Sequence, residues 1–206
     1  DFTYEVLALP LGLTWDKRDV PANATSGFYL DGEVKPFLGL GDTKSGVRAT
    51  FDGRVYKSLD AAGRFVVAAR LQGGAIYGPE ILDVPRDQLF YSGGGGTVRG
   101  QPFQSLGVLV PTGTGSDFLI GGKFFAAGSL ELRAKVADKI GIVGFVDVGS
   151  VGLDSVLDGG AETHAGAGLG VRYDTGIGPI RLDVAAPVSG DTGDGVQFYI
   201  GIGQAF

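Results

Sequence analysis

Residues 163–188 read Thr-His-Ala-Gly-Ala-Gly-Leu-Gly-Val-Arg-Tyr-Asp-Thr-Gly-Ile-Gly-Pro-Ile-Arg-Leu-Asp-Val-Ala-Ala-Pro-Val. Two alternating runs flank a tight turn at Thr175–Gly178. In the first run, Ala165, Ala167, Leu169, Val171 and Tyr173 share one parity, against His164, Arg172 and Asp174. In the second, Ile180, Leu182, Val184 and Ala186 oppose Arg181 and Asp183. Period two places successive side chains on opposite faces of a strand. Helical spacing at i, i+3, i+4, i+7 is hard to find here or elsewhere, and glycine, 38 residues in all, interrupts almost every window.

Working outward, the same alternation recurs. In 139–150, Ile140, Ile142, Val146 and Val148 oppose Phe145 and Asp147. In 119–136, Ile120, Phe124, Ala126, Leu130 and Leu132 oppose Lys123, Ser129, Glu131, Arg133 and Lys135. Segments 6–16, 27–39, 46–58 and 64–76 follow suit, and 195–206 closes the chain with Val196, Phe198, Ile200, Ile202 and Phe206 on one parity. That makes nine strand-like segments, most of about 10–14 residues. Strands of soluble proteins commonly have ~5–6 residues, whereas a tilted membrane strand needs about 9–11. The segments therefore predict an all-β protein, an antiparallel transmembrane β-barrel of about eight or nine strands. A soluble sandwich would alternate in the same way, so strand length and loop pattern carry the distinction.

The loops support the barrel. Tight turns near Asp138, Asp60–Gly63 and Thr175–Gly178 alternate with longer connections at 151–162, 189–194 and, longest, about 77–118. Short turns on one side and longer loops on the other characterise outer-membrane barrels. The connections near 41–45 and 17–26 fit this scheme less well. The connection over 77–118 is expected to lack secondary structure of its own, to fold inward, and to be functional.

Composition narrows the alternatives. Mean hydropathy is positive at +0.19, yet no run approaches the roughly 18 apolar residues of a membrane helix. A net charge of −6 argues against a nucleic-acid footprint. Cysteine is absent, which excludes disulfides and thiolate metal sites. Methionine is also absent and no signal peptide precedes Asp1, as expected of a processed chain or an internal fragment. The lone His164 has no Ser or Asp constellation around it and no metal-ligand spacing, so no catalytic, cofactor or metal residue is expected.

The long connection holds Gly93-Gly94-Gly95-Gly96-Thr97-Val98-Arg99-Gly100-Gln101-Pro102-Phe103. A phosphate-binding reading fails, because no Gly-Lys-Ser/Thr follows and no helix start is visible. Either this is a surface loop with an incidental arginine, or Arg99 reaches a fixed partner. Glu131 and Asp147, on the polar parity of their strands, are the candidate partners. Paired-carboxylate glycosidase chemistry has nothing specific to support it.

Five pieces, in order, resemble the TamA/BamA family of outer-membrane barrels. They are Trp15-Asp16-Lys17-Arg18-Asp19 with Thr25-Ser26-Gly27; Gly94 to Gly100 with its Val98-Arg99-Gly100 tip; Ser129-Leu130-Glu131; Phe145-Val146-Asp147-Val148-Gly149; and Gly168 to Tyr173 with Ile177 to Ala185. The resemblance covers nearly the whole chain. It departs at Gln101, where the family usually has an aromatic, and Phe103 follows two residues later.

The resemblance implies the C-terminal half of a sixteen-stranded barrel preceded by periplasmic POTRA domains, with residues 1–206 as one barrel domain that is a fragment of it. It implies residence in the outer membrane of a Gram-negative-type bacterium. The function would be assembly or translocation of unfolded outer-membrane or autotransporter clients, without enzyme activity or cofactors. Partners would be the lipid bilayer, those clients, and a periplasmic or inner-membrane partner of the intact protein. A loop-tip lock of Val98, Arg99, Gly100, Glu131, Phe145, Asp147 and Gly149 is expected. So is a C-terminal strand signal of Phe198, Ile200, Ile202 and Phe206, bordering a lateral seam. The alternatives are a passive barrel and a soluble β-sandwich binding module.

Overall fold

Glycine-spaced alternation in this chain produces strands long enough to cross a bilayer. The computed structural model describes residues 5–41, 43–111, 117–157 and 160–206. Twelve strands form in them. They are β1 (Glu5–Ala8), β2 (Leu11–Asp16), β3 (Gly27–Leu40), β4 (Gly46–Ser58), β5 (Phe65–Tyr77), β6 (Val108–Pro111), β7 (Asp117–Ile120), β8 (Phe124–Lys135), β9 (Ile140–Gly152), β10 (Glu162–Thr175), β11 (Gly178–Ser189) and β12 (Gln197–Ile202). Ten of these make one antiparallel sheet in the order β1-β3-β4-β5-β8-β9-β10-β11-β12, with β2 also on β3. Apart from the small β6–β7 hairpin, the sheet is a meander of neighbours in sequence.

Three boundaries differ from the sequence reading. The run at 6–16 is two pieces, both paired to β3. The break falls at Leu9-Pro10, where the Leu9 amide donates to Pro36 O; neither proline has an N–H for the ladder. The run at 119–136 is likewise split. Ile120 ends β7, Gly121 and Gly122 turn the chain, and β8 starts at Phe124. A Cβ on Gly121 would meet Leu89, and one on Gly122 would meet Val151, at 2.6 and 2.5 Å. The third difference is the chain end. β12 stops at Ile202, Gly203 takes φ +89°, and the last residues leave the strand direction.

Side-chain placement is inverted relative to a soluble sheet. Leu130, Leu132, Val146, Val148, Leu169, Val171, Leu182 and Ile200 are exposed, while Glu131, Arg133, Asp147, Arg172 and Asp183 on the other parity are buried. In water, such an apolar outer surface would be a large association-prone patch; against hydrocarbon it is the required face. The loop pattern is regular once topology is known. The connections 17–26, 59–64, 136–139 and 176–177 lie at one end of the sheet, and 41–45, 78–123, 153–161 and 190–196 at the other. The two loops that fitted poorly thus fall in place. The ten residues of 17–26 are folded down by Asp19, which accepts from the Val20 and Thr25 amides and the Thr25 hydroxyl. Residues 42, 112–116 and 158–159, within the expected loops, lie outside the described residues.

The connection from β5 to β8 is structured, contrary to expectation. It carries two 3-10 turns, Ile81–Asp83 and Arg86–Gln88, and the β6–β7 hairpin. Val84, Leu89, Phe90 and Ile120 from this connection pack with Phe37 and Ile76 of the strands in an apolar cluster. Two isolated bridges, Phe90↔Gly122 and Ser92↔Leu106, then aim residues 93–101 into the concave side of the sheet.

Candidate functional site

The loop tip is tight because four glycines precede its functional residues. Gly93, Gly94 and Gly100 adopt φ of +111°, +89° and +95°, which side-chain-bearing residues rarely do. The Gly94 amide bonds to Val98 O and Gln101 O, both at 3.0 Å, and the Gly93 amide to Thr97 Oγ1 at 2.8 Å. This knot presents Val98, Arg99 and Gly100 to the wall.

Arg99 meets both carboxylates singled out in the sequence. Its Nε and Nη2 donate to Asp147 Oδ2 and Oδ1 at 2.8 and 2.9 Å, and its backbone N–H donates to Oδ2 at 3.0 Å. Nη1 donates to Glu131 Oε1 at 2.6 Å. The guanidinium carbon lies 3.6 Å from the centre of the Phe145 ring, a cation–π contact in a desolvated place. Register explains the convergence: Glu131 sits opposite Phe145 across β8–β9, and Asp147 opposite Gly166 across β9–β10. Burial works against the Arg99 charge, but Asp147 and Glu131 outweigh it, so the guanidinium is held above its ordinary pKa.

The small residues around the tip are steric requirements. A Cβ on Gly149 would stand 2.3 Å from Ser92 Oγ and 2.8 Å from Val98 Cγ2. Val98 is fully buried there.

Several participants were not singled out in the sequence. Asp183 lies 3.6 Å from Arg99 Nη1 and is paired with Arg172. Arg133 holds the second oxygen of Glu131. All three share the inward parity of Glu131 and Asp147, so alternation alone could have nominated them. His164 and Tyr199 lie on the inward parity of their strands too, whereas Gln101, in the loop, has no parity to read. His164 is fully buried, bonded through its ring nitrogens to Ser92 Oγ and Thr192 Oγ1 at 2.8 and 2.7 Å.

The terminal strand residues divide. Phe198, Ile200 and Ile202 stand exposed along one face of β12. Phe206 does not continue that face, which corrects the expectation from parity. Beyond Gly203 it turns inside and packs with Ala24, Tyr56 and Ala68. Its carbonyl accepts from Arg133 Nη2 at 3.0 Å. Nearby, the Gln204 amide donates to Ala22 O, and its side chain bridges Arg172 and Asn23. The tail after β12 thus touches the β2–β3 turn, at the same end of the sheet but from its opposite edge. Among the described residues, β12 pairs with β11 alone.

The Omp85 superfamily domain matches residues 1–206, the whole chain. The chain belongs to the Omp85 superfamily. At the level of that superfamily, the function is outer-membrane protein assembly and translocation, and its members are non-enzymatic proteins of the Gram-negative outer membrane. The fold is similar to the crystal structure of BamA from Haemophilus ducreyi lacking POTRA domains 1–3, with a TM-score of 0.77 at 21% identity. The match covers 93% of this chain and 41% of that one, so the chain spans about two fifths of the BamA structure.

Proposed function

We propose that the intact protein inserts or translocates unfolded outer-membrane clients, autotransporters among them, and that residues 197–202 form one side of the seam where client strands pair. In this reading residues 1–206 are the C-terminal half of a sixteen-stranded barrel carrying upstream POTRA domains, seated in an outer membrane. The clients, the bilayer and a periplasmic or inner-membrane protein are its partners.

The observation that carries the reading is β12 itself. It is short: it bonds to β11 over the six pairs from Ile180↔Ile202 to Ala185↔Gln197, against eleven pairs between β10 and β11, so the ladder at this edge is weak. An unpaired edge is a template for another strand. In hydrocarbon each unmet backbone group costs several kcal/mol, so a client strand is drawn to pair there. A passive channel has no use for such an edge. The Arg99 cluster supports the same reading by anchoring the loop tip while the edge stays available.

The test is reconstitution. The intact protein in liposomes is expected to accelerate folding of a urea-unfolded client barrel, scored by protease protection and heat-modifiable migration. Folding no faster than in empty liposomes would overturn the proposal.

A further inference from the structure

Arg99 accounts for only one side of the loop tip. The other side is occupied by the last three strands. The Gly100 N–H donates to the hydroxyl of Tyr199, on β12, at 2.9 Å. Gly95 lies against the same ring, with space for a Cβ only 3.1 Å from Tyr199 Cδ1. Gly100 itself is pressed onto β11, where a Cβ would come within 2.5 Å of Ala186 O.

Gln101 extends this side. It is fully buried, and its Nε2 donates to the carbonyls of Ala165 and Ser189 at 2.8 and 3.0 Å. Those carbonyls flank the place where the β10–β11 register shifts, between Ala165↔Ser189 and Gly166↔Pro187. A register irregularity next to a proline leaves ladder acceptors without an amide, and the carboxamide fills that gap. Gln101 Oε1 accepts from the Thr192 hydroxyl at 2.9 Å. Through His164, Thr192 connects back to Ser92 at the base of the loop. Pro102 also packs on the β11–β12 loop, leaving no room for a Cβ at Gly193.

We infer that the loop tip is a two-sided strut, and that Tyr199 and Gln101 are positioning residues that set where the β11–β12 hairpin stands relative to the β8–β9 wall. The two sides differ in chemistry. Arg99 holds β8 and β9 through charge-assisted bonds and also lies 3.6 Å from Asp183 of β11, whereas Gly100 and Gln101 hold β10, β11 and β12 through neutral bonds, which are about half as strong, β12 through the Gly100–Tyr199 bond. β12, joined to β11 over six pairs against eleven between β10 and β11, therefore gives way first while Arg99 stays in place. An aromatic at position 101, as the sequence resemblance leads one to expect, could not bridge two carbonyls and a hydroxyl. The strut rests on the reading of β12 as the client-facing edge only for its purpose, not for its geometry.

Amide hydrogen exchange of the intact protein in lipid nanodiscs tests it, comparing wild type with Tyr199→Phe and Gln101→Ala. Tyr199→Phe keeps the ring against Gly95 and removes only the hydroxyl, so the fold is retained. Exchange over 190–202 is expected to rise about three- to tenfold in either variant, as loss of a neutral hydrogen bond allows. Segments 124–135 and 140–152 should stay within about twofold, and the Arg99 loop should remain protease-resistant. Unchanged exchange at β12, or an equal rise in every strand, would overturn the strut. Raised β12 exchange with an unaltered client-folding rate would support the strut while counting against β12 as the seam.

Discussion

The Asp147 carboxylate receives all its hydrogen bonds, among the described residues, from Arg99: both oxygens are engaged at 2.8 to 3.0 Å, and the aspartate is fully buried. Glu131 is different, because Arg133 shares it. Removing Arg99 thus strands Asp147 as an uncompensated buried charge but leaves Glu131 paired. Breaking a buried ionic pair costs about 3–5 kcal/mol. Arg99→Ala is expected to expose residues 93–104 to protease while the barrel keeps its heat-modifiable migration. Arg99→Lys should fall in the same direction, since a point charge cannot hold two carboxylates as a planar fork does.

The asymmetry gives a second expectation. A double-mutant cycle on Arg99 and Asp147 should return a larger coupling than one on Arg99 and Glu131. Denaturant midpoints of the Ala, Asn and Gln variants and their pairs supply the cycle. Equal couplings would show that Arg133 does not buffer Glu131.

Sterics alone should release the tip as well. A Cβ on Gly166 would stand 1.9 Å from Arg99 O, a backbone atom that cannot swing aside. Gly166→Ala is therefore expected to make the loop protease-sensitive with every charge intact. Gly96→Ala, whose Cβ meets nothing within 4 Å, is the matched control and should behave as wild type.

Phe206 separates packing from targeting. Its parity puts it with Phe198, Ile200 and Ile202 in the C-terminal strand signal. Its burial beside Tyr56, with ring centroids 6.4 Å apart, and its contact with Arg133 give it a packing role as well. Phe206→Ala should lower the denaturant stability of refolded protein by about 3–5 kcal/mol, as for a buried aromatic. Tyr56→Ala should lower it comparably, without touching the chain end.

Asp19 offers a pH test outside the strands. Desolvation works against its charge, but the Thr25 hydroxyl and the Thr25, Val20 and Ser26 amides prevail, holding the carboxyl at about 2. A depressed folded pKa stabilises above the unfolded value, so the ordering of 17–26 is fully present above about pH 4 and is lost as pH falls through about 2. Carboxyl titration by NMR should show Asp19 still ionised at about pH 3, and Thr25→Val should move its midpoint toward that of an ordinary aspartate.

The sheet was legible because alternation survives wherever one face is lipid and the other polar. Leu130-Glu131-Leu132 and Val146-Asp147-Val148 announce both faces, and the register of β8 and β9 follows from the turn at 136–139. Arg99, Glu131 and Asp147 could be nominated because a charge on an inward parity needs a partner. The split at Pro10 was not visible, because the decisive residue, Pro36, lies on the neighbouring strand. The β6–β7 hairpin was hidden in a run too short to show a period. Phe206 misled because parity was extended past Gly203, whose positive φ ends the strand. Gln101 stood out as a departure from the resemblance and Tyr199 lies on the inward parity, but their partners were not legible, being mainly backbone groups: the Ala165 and Ser189 carbonyls and the Gly100 amide.

The claim that β12 offers its free edge to client strands is tested most directly by disulfide trapping in living cells. Single cysteines along 197–202 of the intact protein are paired with single cysteines along the terminal strand of a client barrel stalled during assembly. Adducts are expected to follow one strand register along β12, with none from a cysteine at Leu132, which is exposed on the same apolar face but sits mid-sheet on β8. Adducts no more frequent at β12 than at Leu132, or scattered without register, would contradict it.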